Sequence, residues 1–158
     1  MVEYTLNNCP IFWDHLTDTF NCAISDADIP VYAGGGYYFP DSDLARLKDE
    51  AQCFTELGFQ SVKIKIGSAA LADDVSRVET VLAVLGKGEL LAVDAMNSYS
   101  PKSALEAVHA LQPYQLRWFE DICDPLDYET HRDIVEVYAL PVSAGEALFS
   151  LADARNLL

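Results

Sequence analysis

From Val31 onward the hydrophobic and polar positions fall into two alternating periods. Short runs with a period of two read as strands, and longer stretches with helical spacing read as helices. Residues 31–33 form the first strand candidate, ended by Gly34, Gly35 and Gly36. Asp41 or Ser42 is placed to cap a helix on which Leu44, Leu47, Ala51 and Phe54 share a face, and Gly58 closes it as a left-handed C-terminal residue would. Residues 61–66 alternate strictly: Val62, Ile64 and Ile66 point one way, Lys63 and Lys65 the other. Leu71, Val75, Val78, Leu82 and Leu85 define a second helix before Gly86. Residues 89–94 are a strand. Pro101 opens a third helix at its first turn, with Ala104, Leu105, Val108 and Leu111 inward. Strand 115–120, helix 127–138, strand 140–144 and a last helix capped by Ser150 complete the pattern.

Strict β-α alternation implies parallel strands joined by right-handed crossovers. Two architectures satisfy it, an open doubly wound sheet and a barrel. Residues 1–30 show no clear period: Ile11, Phe12 and Trp13 are followed by mixed polar and small residues. The expected division is therefore an irregular segment over 1–30, read as a remnant of a larger capping unit, and an α/β domain over 31–158.

Composition narrows the function classes. The 158 residues are 51% hydrophobic and 22% charged, which favours a packed core over disorder. A net charge of −15 argues against nucleic acid, whose phosphates need Lys and Arg, and against an anionic membrane surface. No apolar run reaches the roughly 18 residues of a membrane span. Cys9, Cys22, Cys53 and Cys123 form no C-x-x-C pair, so a zinc knuckle or redox motif is not expected. Cys53 is expected to be a small buried group, and a reducing cytoplasm fits the set.

The chemistry gathers at the carboxyl ends of the strands, where α/β folds bind ligands. Lys63 and Lys65 end one strand, Asp94 the next, Glu120 the next, and Glu146 follows the last. The three carboxylates are evenly spaced, one βα unit apart. Carboxylates crowded together raise one another's pKa unless a cation intervenes, and an all-oxygen set suits a hard ion such as Mg²⁺. Alternating Lys and Ile usually marks a half-solvated sheet face. In a parallel sheet, however, helices cover both faces unless the lysines line a barrel mouth. A lysine base at neutral pH must give up its proton far below its usual range, and a second ammonium and a metal ion both favour that. Lys65 is thus the candidate base, with Lys63 tuning it. No G-x-G-x-x-G or P-loop follows the first strand, which counts against an open flavodoxin-like nucleotide domain.

Four stretches, Val62-Lys-Ile-Lys-Ile-Gly67, Ala92-Val-Asp-Ala95, Trp118-Phe-Glu-Asp121 and Ala144-Gly-Glu146, resemble the mandelate racemase-like branch of the enolase superfamily. Residues 31–40, 124–128 and 148–157 resemble its D-tartrate dehydratase group. The resemblance implies a capping domain ahead of a modified (β/α) TIM-type barrel, of which this chain would hold about the first five units. It also implies Mg²⁺ held by Asp94, Glu120 and Glu146. Lys65 would take the proton α to the carboxylate of a small hydroxy acid, and loss of the β-hydroxyl as water would follow. Tyr37 and Asn97 are candidate substrate contacts.

The sequence departs from that pattern where Met96 and Ala147 replace the usual asparagines. A histidine general acid would lie beyond Leu158; His109 and His131 fall in helices and are expected to be surface or core residues. The isolated chain is therefore expected to turn over tartrate slowly or not at all, and a non-catalytic fragment is the competing reading. An unpaired edge strand and uncovered helix faces predict self-association into a homo-oligomer.

Overall fold

The computed structural model describes residues 3–4 and 31–157. Six strands are described: β1 (Glu3–Tyr4), β2 (Tyr32–Gly35), β3 (Val62–Lys65), β4 (Leu91–Asp94), β5 (Trp118–Glu120) and β6 (Val142–Ser143). The helices are α1 (Asp43–Glu56), α2 (Leu71–Leu85), α3 (Pro101–Leu111), α4 (Tyr128–Val137) and α5 (Leu151–Leu157). Every strand pair is parallel, and the order in space is β1-β2-β3-β4-β5-β6.

That order decides between the two architectures. A doubly wound sheet reverses direction at a switch point. Here each strand is laid beside the previous one without reversal, which is the winding of a (β/α) barrel. The fold is a partial barrel. Strand β1 lies in the segment that shows no period in the sequence; two residues are too short to leave one. The other residues of 1–30, including Ile11, Phe12, Trp13, Cys9, Cys22 and His15, lie outside the described residues.

The two strand faces differ as the alternation predicts. Ala33, Val62, Ile64, Val93 and Phe119 face the helices and join Leu47, Phe54, Val78, Val108 and Ile134 in one core. Tyr32, Ala92 and Trp118 pack on the opposite, inner face. Register places Lys63 beside Ala92 and Trp118, and Lys65 beside Asp94 and Glu120. The candidate base and two candidate ligands therefore share one cross-strand row on the inner face, at its carboxyl end. Gly36 closes β2 with φ +67, and a Cβ there would stand 2.5 Å from that of Ile64, so the chain can approach β3 only as glycine.

Three local expectations are corrected. Ser42 does occupy the N-cap of α1, but it is left-handed (φ 55) and its hydroxyl caps nothing; the Asp43 carboxylate instead accepts from Phe39 N–H at 2.8 Å. Cys53 is exposed, because it lies two residues, or about 200°, around the helix from buried Ala51. On α2, Leu71, Val75, Leu82 and Leu85 are only partly buried. The deepest stripe is Asp74, Arg77, Val78 and Val81. A pattern read from apolar residues alone misses a helix whose innermost turn is charged. Pro101 and the Ser100–Ser103 capping box begin α3 as expected, and Ser150 Oγ accepts from Asp153 N–H at 3.1 Å.

Candidate metal and proton-transfer site

Parallel strands β3, β4 and β5 bring their last side chains together on the inner face. Lys65 Nζ lies 2.6 Å from Asp94 Oδ2. Lys63 Nζ lies 2.7 Å from Glu120 Oε1 and 3.5 Å from Asp94 Oδ2. Asp94 and Lys63 side chains are 2% and 4% exposed, whereas Lys65 is 16% exposed and so stands at the mouth. Trp118 Nε1 donates to Glu120 Oε2 at 2.7 Å, and Met96 N–H to Asp94 Oδ1 at 2.9 Å. Each carboxylate is thus held by one neutral donor while its other oxygen faces an ammonium.

Asp121 completes the cluster. Asp94, Glu120 and Asp121 each offer an oxygen, and these lie within 4.8 Å of one another. In an extended strand, neighbours 120 and 121 would point to opposite faces. The left-handed φ of 46 at Asp121 breaks that alternation. Met96 and Asn97 at the end of β4 are also left-handed, with φ 52 and 58. Such backbone costs about 1–2 kcal/mol for most residues, and three of the five left-handed non-glycine residues described lie at these two strand ends.

Asp121 is buried, and its Oδ2 has no hydrogen-bond partner among the described residues. Burial first, then the charges of Glu146, Asp94 and Glu120, push Asp121 up to about 7. Glu146 itself is exposed on the turn after β6. It stands outside the three-carboxylate set, and its charge acts on Asp121.

The other predicted residues can be placed. Tyr37 is 64% exposed on the loop after β2, with Lys65 Nζ 5.9 Å from its ring centre. Asn97 donates its N–H to Asp121 O at 2.7 Å, while its side-chain oxygen is buried without a partner among the described residues. Met96 brings its sulfur to 3.1 Å from Lys65 Nζ. His109 is exposed and His131 buried, both in helices and away from the cluster. Asp121 is not among the residues the sequence pattern singles out, which include one carboxylate per strand end. The adjacent acidic pair Glu120-Asp121 was the signal for it. A cavity of about 540 Å³ between α4, α5 and β6 has neither lysine nor any of these carboxylates in its lining.

The donor set fits a hard divalent cation. It is all oxygen, largely buried, negatively charged in excess, and presently offset by two ammonium groups. Asp94 and Glu120 would hold the ion, with a third oxygen drawn from the Asp121–Glu146 pair.

The chain belongs to the enolase C-terminal domain-like family, whose model matches residues 46–158. Arabinonate dehydratase of Saccharolobus solfataricus is 29% identical over 126 residues, 80% of this chain and 34% of that protein. The 3,6-anhydro-alpha-L-galactonate cycloisomerase of Streptomyces coelicolor is 35% identical over 131 residues, 83% of this chain and 36% of the relative. The crystal structure of L-talarate dehydratase from Polaromonas sp. JS666, complexed with Mg and L-glucarate, superposes with a TM-score of 0.70 at 28% identity, covering 80% of this chain and 35% of that one. The chain thus spans about a third of the length of the curated relatives it matches. These relatives include both dehydratases and isomerising enzymes.

Proposed function

We propose that this chain carries the metal-binding and proton-abstracting part of a Mg²⁺-dependent acid-sugar dehydratase, resembling D-tartrate dehydratase and acting on a small hydroxy acid. The reading rests on one observation: Lys65 Nζ, at the mouth of the inner face, adjoins a buried carboxylate row that suits a hard cation. Magnesium, when bound, would supply the positive charge that stabilises negative charge growing on the substrate carboxylate.

The chain's own residues supply the rest. Acting in its amine form, Lys65 would take the α-proton and become an ammonium; the electron pair of the broken C–H bond moves into the carboxylate group. Lys63 keeps a positive charge beside Glu120 and below the reacting centre, where it favours an anionic substrate. Tyr37 and Asn97 would contact substrate hydroxyls. Loss of the β-hydroxyl as water would complete dehydration. Return of a proton to the α-carbon would instead epimerise the acid, a second reading that the similar solved structure of a racemase from Streptomyces coelicolor A3(2) favours.

Proton abstraction can be read separately from dehydration. The chain is incubated with Mg²⁺ and D-tartrate in D₂O, and loss of the α-proton resonance is followed by NMR. Exchange that disappears in Lys65→Ala is expected. No exchange, or equal exchange in Lys65→Ala, would contradict the proposal. Oxaloacetate formation or a change of configuration in the same sample separates dehydration from epimerisation.

A further inference from the structure

Helix α2 turns two charged side chains into the sheet. Asp74 is fully buried and Arg77 is 1% exposed. They lie one helical turn apart, yet their bonds run elsewhere. Asp74 accepts from the Tyr38 hydroxyl on the loop after β2, from Gly67 N–H after β3 at 2.9 Å, and from the Tyr99 hydroxyl after β4 at 3.2 Å. Arg77 pairs with Asp43 at the start of α1 and donates to the carbonyl oxygens of Gly36 and Lys65, the latter at 3.4 Å. Its guanidinium also stacks 3.9 Å from the centre of the Tyr38 ring. Gly36 O in turn accepts the Lys65 amide at 3.4 Å.

One turn of one helix therefore fastens three site loops and both peptide groups of Lys65. Burial of a charge is costly, Arg77 Nε finds no partner among the described residues, and an apolar pair would serve packing as well or better. The partners are not scattered: all lie on segments that end at the site. From this we infer that Arg77 and Asp74 are positioning residues that aim Lys65 and the Tyr37 loop. The inference rests on the proposed role of Lys65. Neither residue touches the carboxylate cluster in its bonds. Arg77 acts through the main chain, since holding the Lys65 carbonyl fixes the peptide plane from which that side chain departs. Tyr38 and Tyr99 stay protonated far above neutrality, through burial and the Asp74 charge, and so remain donors to Asp74.

The test compares Arg77→Met and Arg77→Lys with the parent chain by two independent readouts. The first is site-resolved amide exchange, which needs no activity. Arg77→Met is expected to speed exchange at Lys65, Gly67 and Ser68 by about tenfold or more, while Arg117 in the β4–β5 ladder and Phe119 in the β5–β6 ladder keep their protection. Arg77→Lys should restore part of the difference. The second is α-proton exchange of substrate: kcat should fall about 10–100-fold in Arg77→Met, with KM and Mg²⁺ affinity unchanged. Uniform acceleration of all amides, or none at the loops, would overturn the inference. So would unchanged kcat in a parent that does exchange. If the parent exchanges no α-proton, the Lys65 base reading fails, and the amide pattern still decides whether the helix holds these loops. Should Arg77→Met not fold, Arg77→Lys and Tyr99→Phe carry the same comparisons.

Discussion

Tyr138 shows how a single side chain can sit in the core at a cost. It is 2% exposed, packs edge-on to Phe119 at 6.1 Å, and its hydroxyl finds no partner among the described residues. Burial pushes the phenol up to about 12. An unpartnered buried hydroxyl is a liability that Phe does not carry. Tyr138→Phe is expected to raise stability by about 1 kcal/mol in denaturant titrations at neutral pH. The raised phenol means the folded chain keeps its proton longer than the unfolded chain does. Stability present below pH ~10 is therefore lost as pH rises through about 12. Phe does not titrate, so the variant's margin should widen across that interval. At this scale the sequence was informative where a residue ends a strand, as Asp94 and Glu120 do. It was silent on Asp121, because period-two reasoning cannot anticipate a left-handed residue that turns two neighbours toward one site.

Elements were legible wherever periodicity and caps agreed. Val62 to Lys65 keeps its alternation, Pro101 starts α3, and Gly86 ends α2 with φ +79. Ser100 and Ser103 form a reciprocal box: Ser103 N–H donates to Ser100 Oγ at 3.3 Å, and Ser100 N–H to Ser103 Oγ at 2.9 Å. Ser100→Ala should cost about 1 kcal/mol in thermal or chemical unfolding. It should leave metal uptake intact, since this cap bonds to none of the cluster. What the pattern hid was the charged inner turn of α2. Asp74 and Arg77 read as solvent-facing in any scheme that places only apolar residues inside, and their partners lie on three loops, two of them distant in sequence.

At the scale of the whole molecule, winding order is what the sequence left open. Alternating β and α segments fit both a doubly wound sheet and a barrel. Only the unreversed order of the six described strands, with register placing Lys65, Asp94 and Glu120 in one row, separates them. That row is the basis of the account: the fold gathers anionic oxygens from successive units around a point now facing two ammonium groups. No described helix is long and apolar enough to cross a membrane. The most direct measurement is calorimetric titration of the chain with Mg²⁺ or Mn²⁺, alongside Asp94→Asn and Glu120→Gln. Saturable uptake of one ion per chain, lost in both variants whose folding is confirmed by circular dichroism, is the predicted result. Absence of uptake by the parent, or uptake by Asp94→Asn equal to it, would contradict the site.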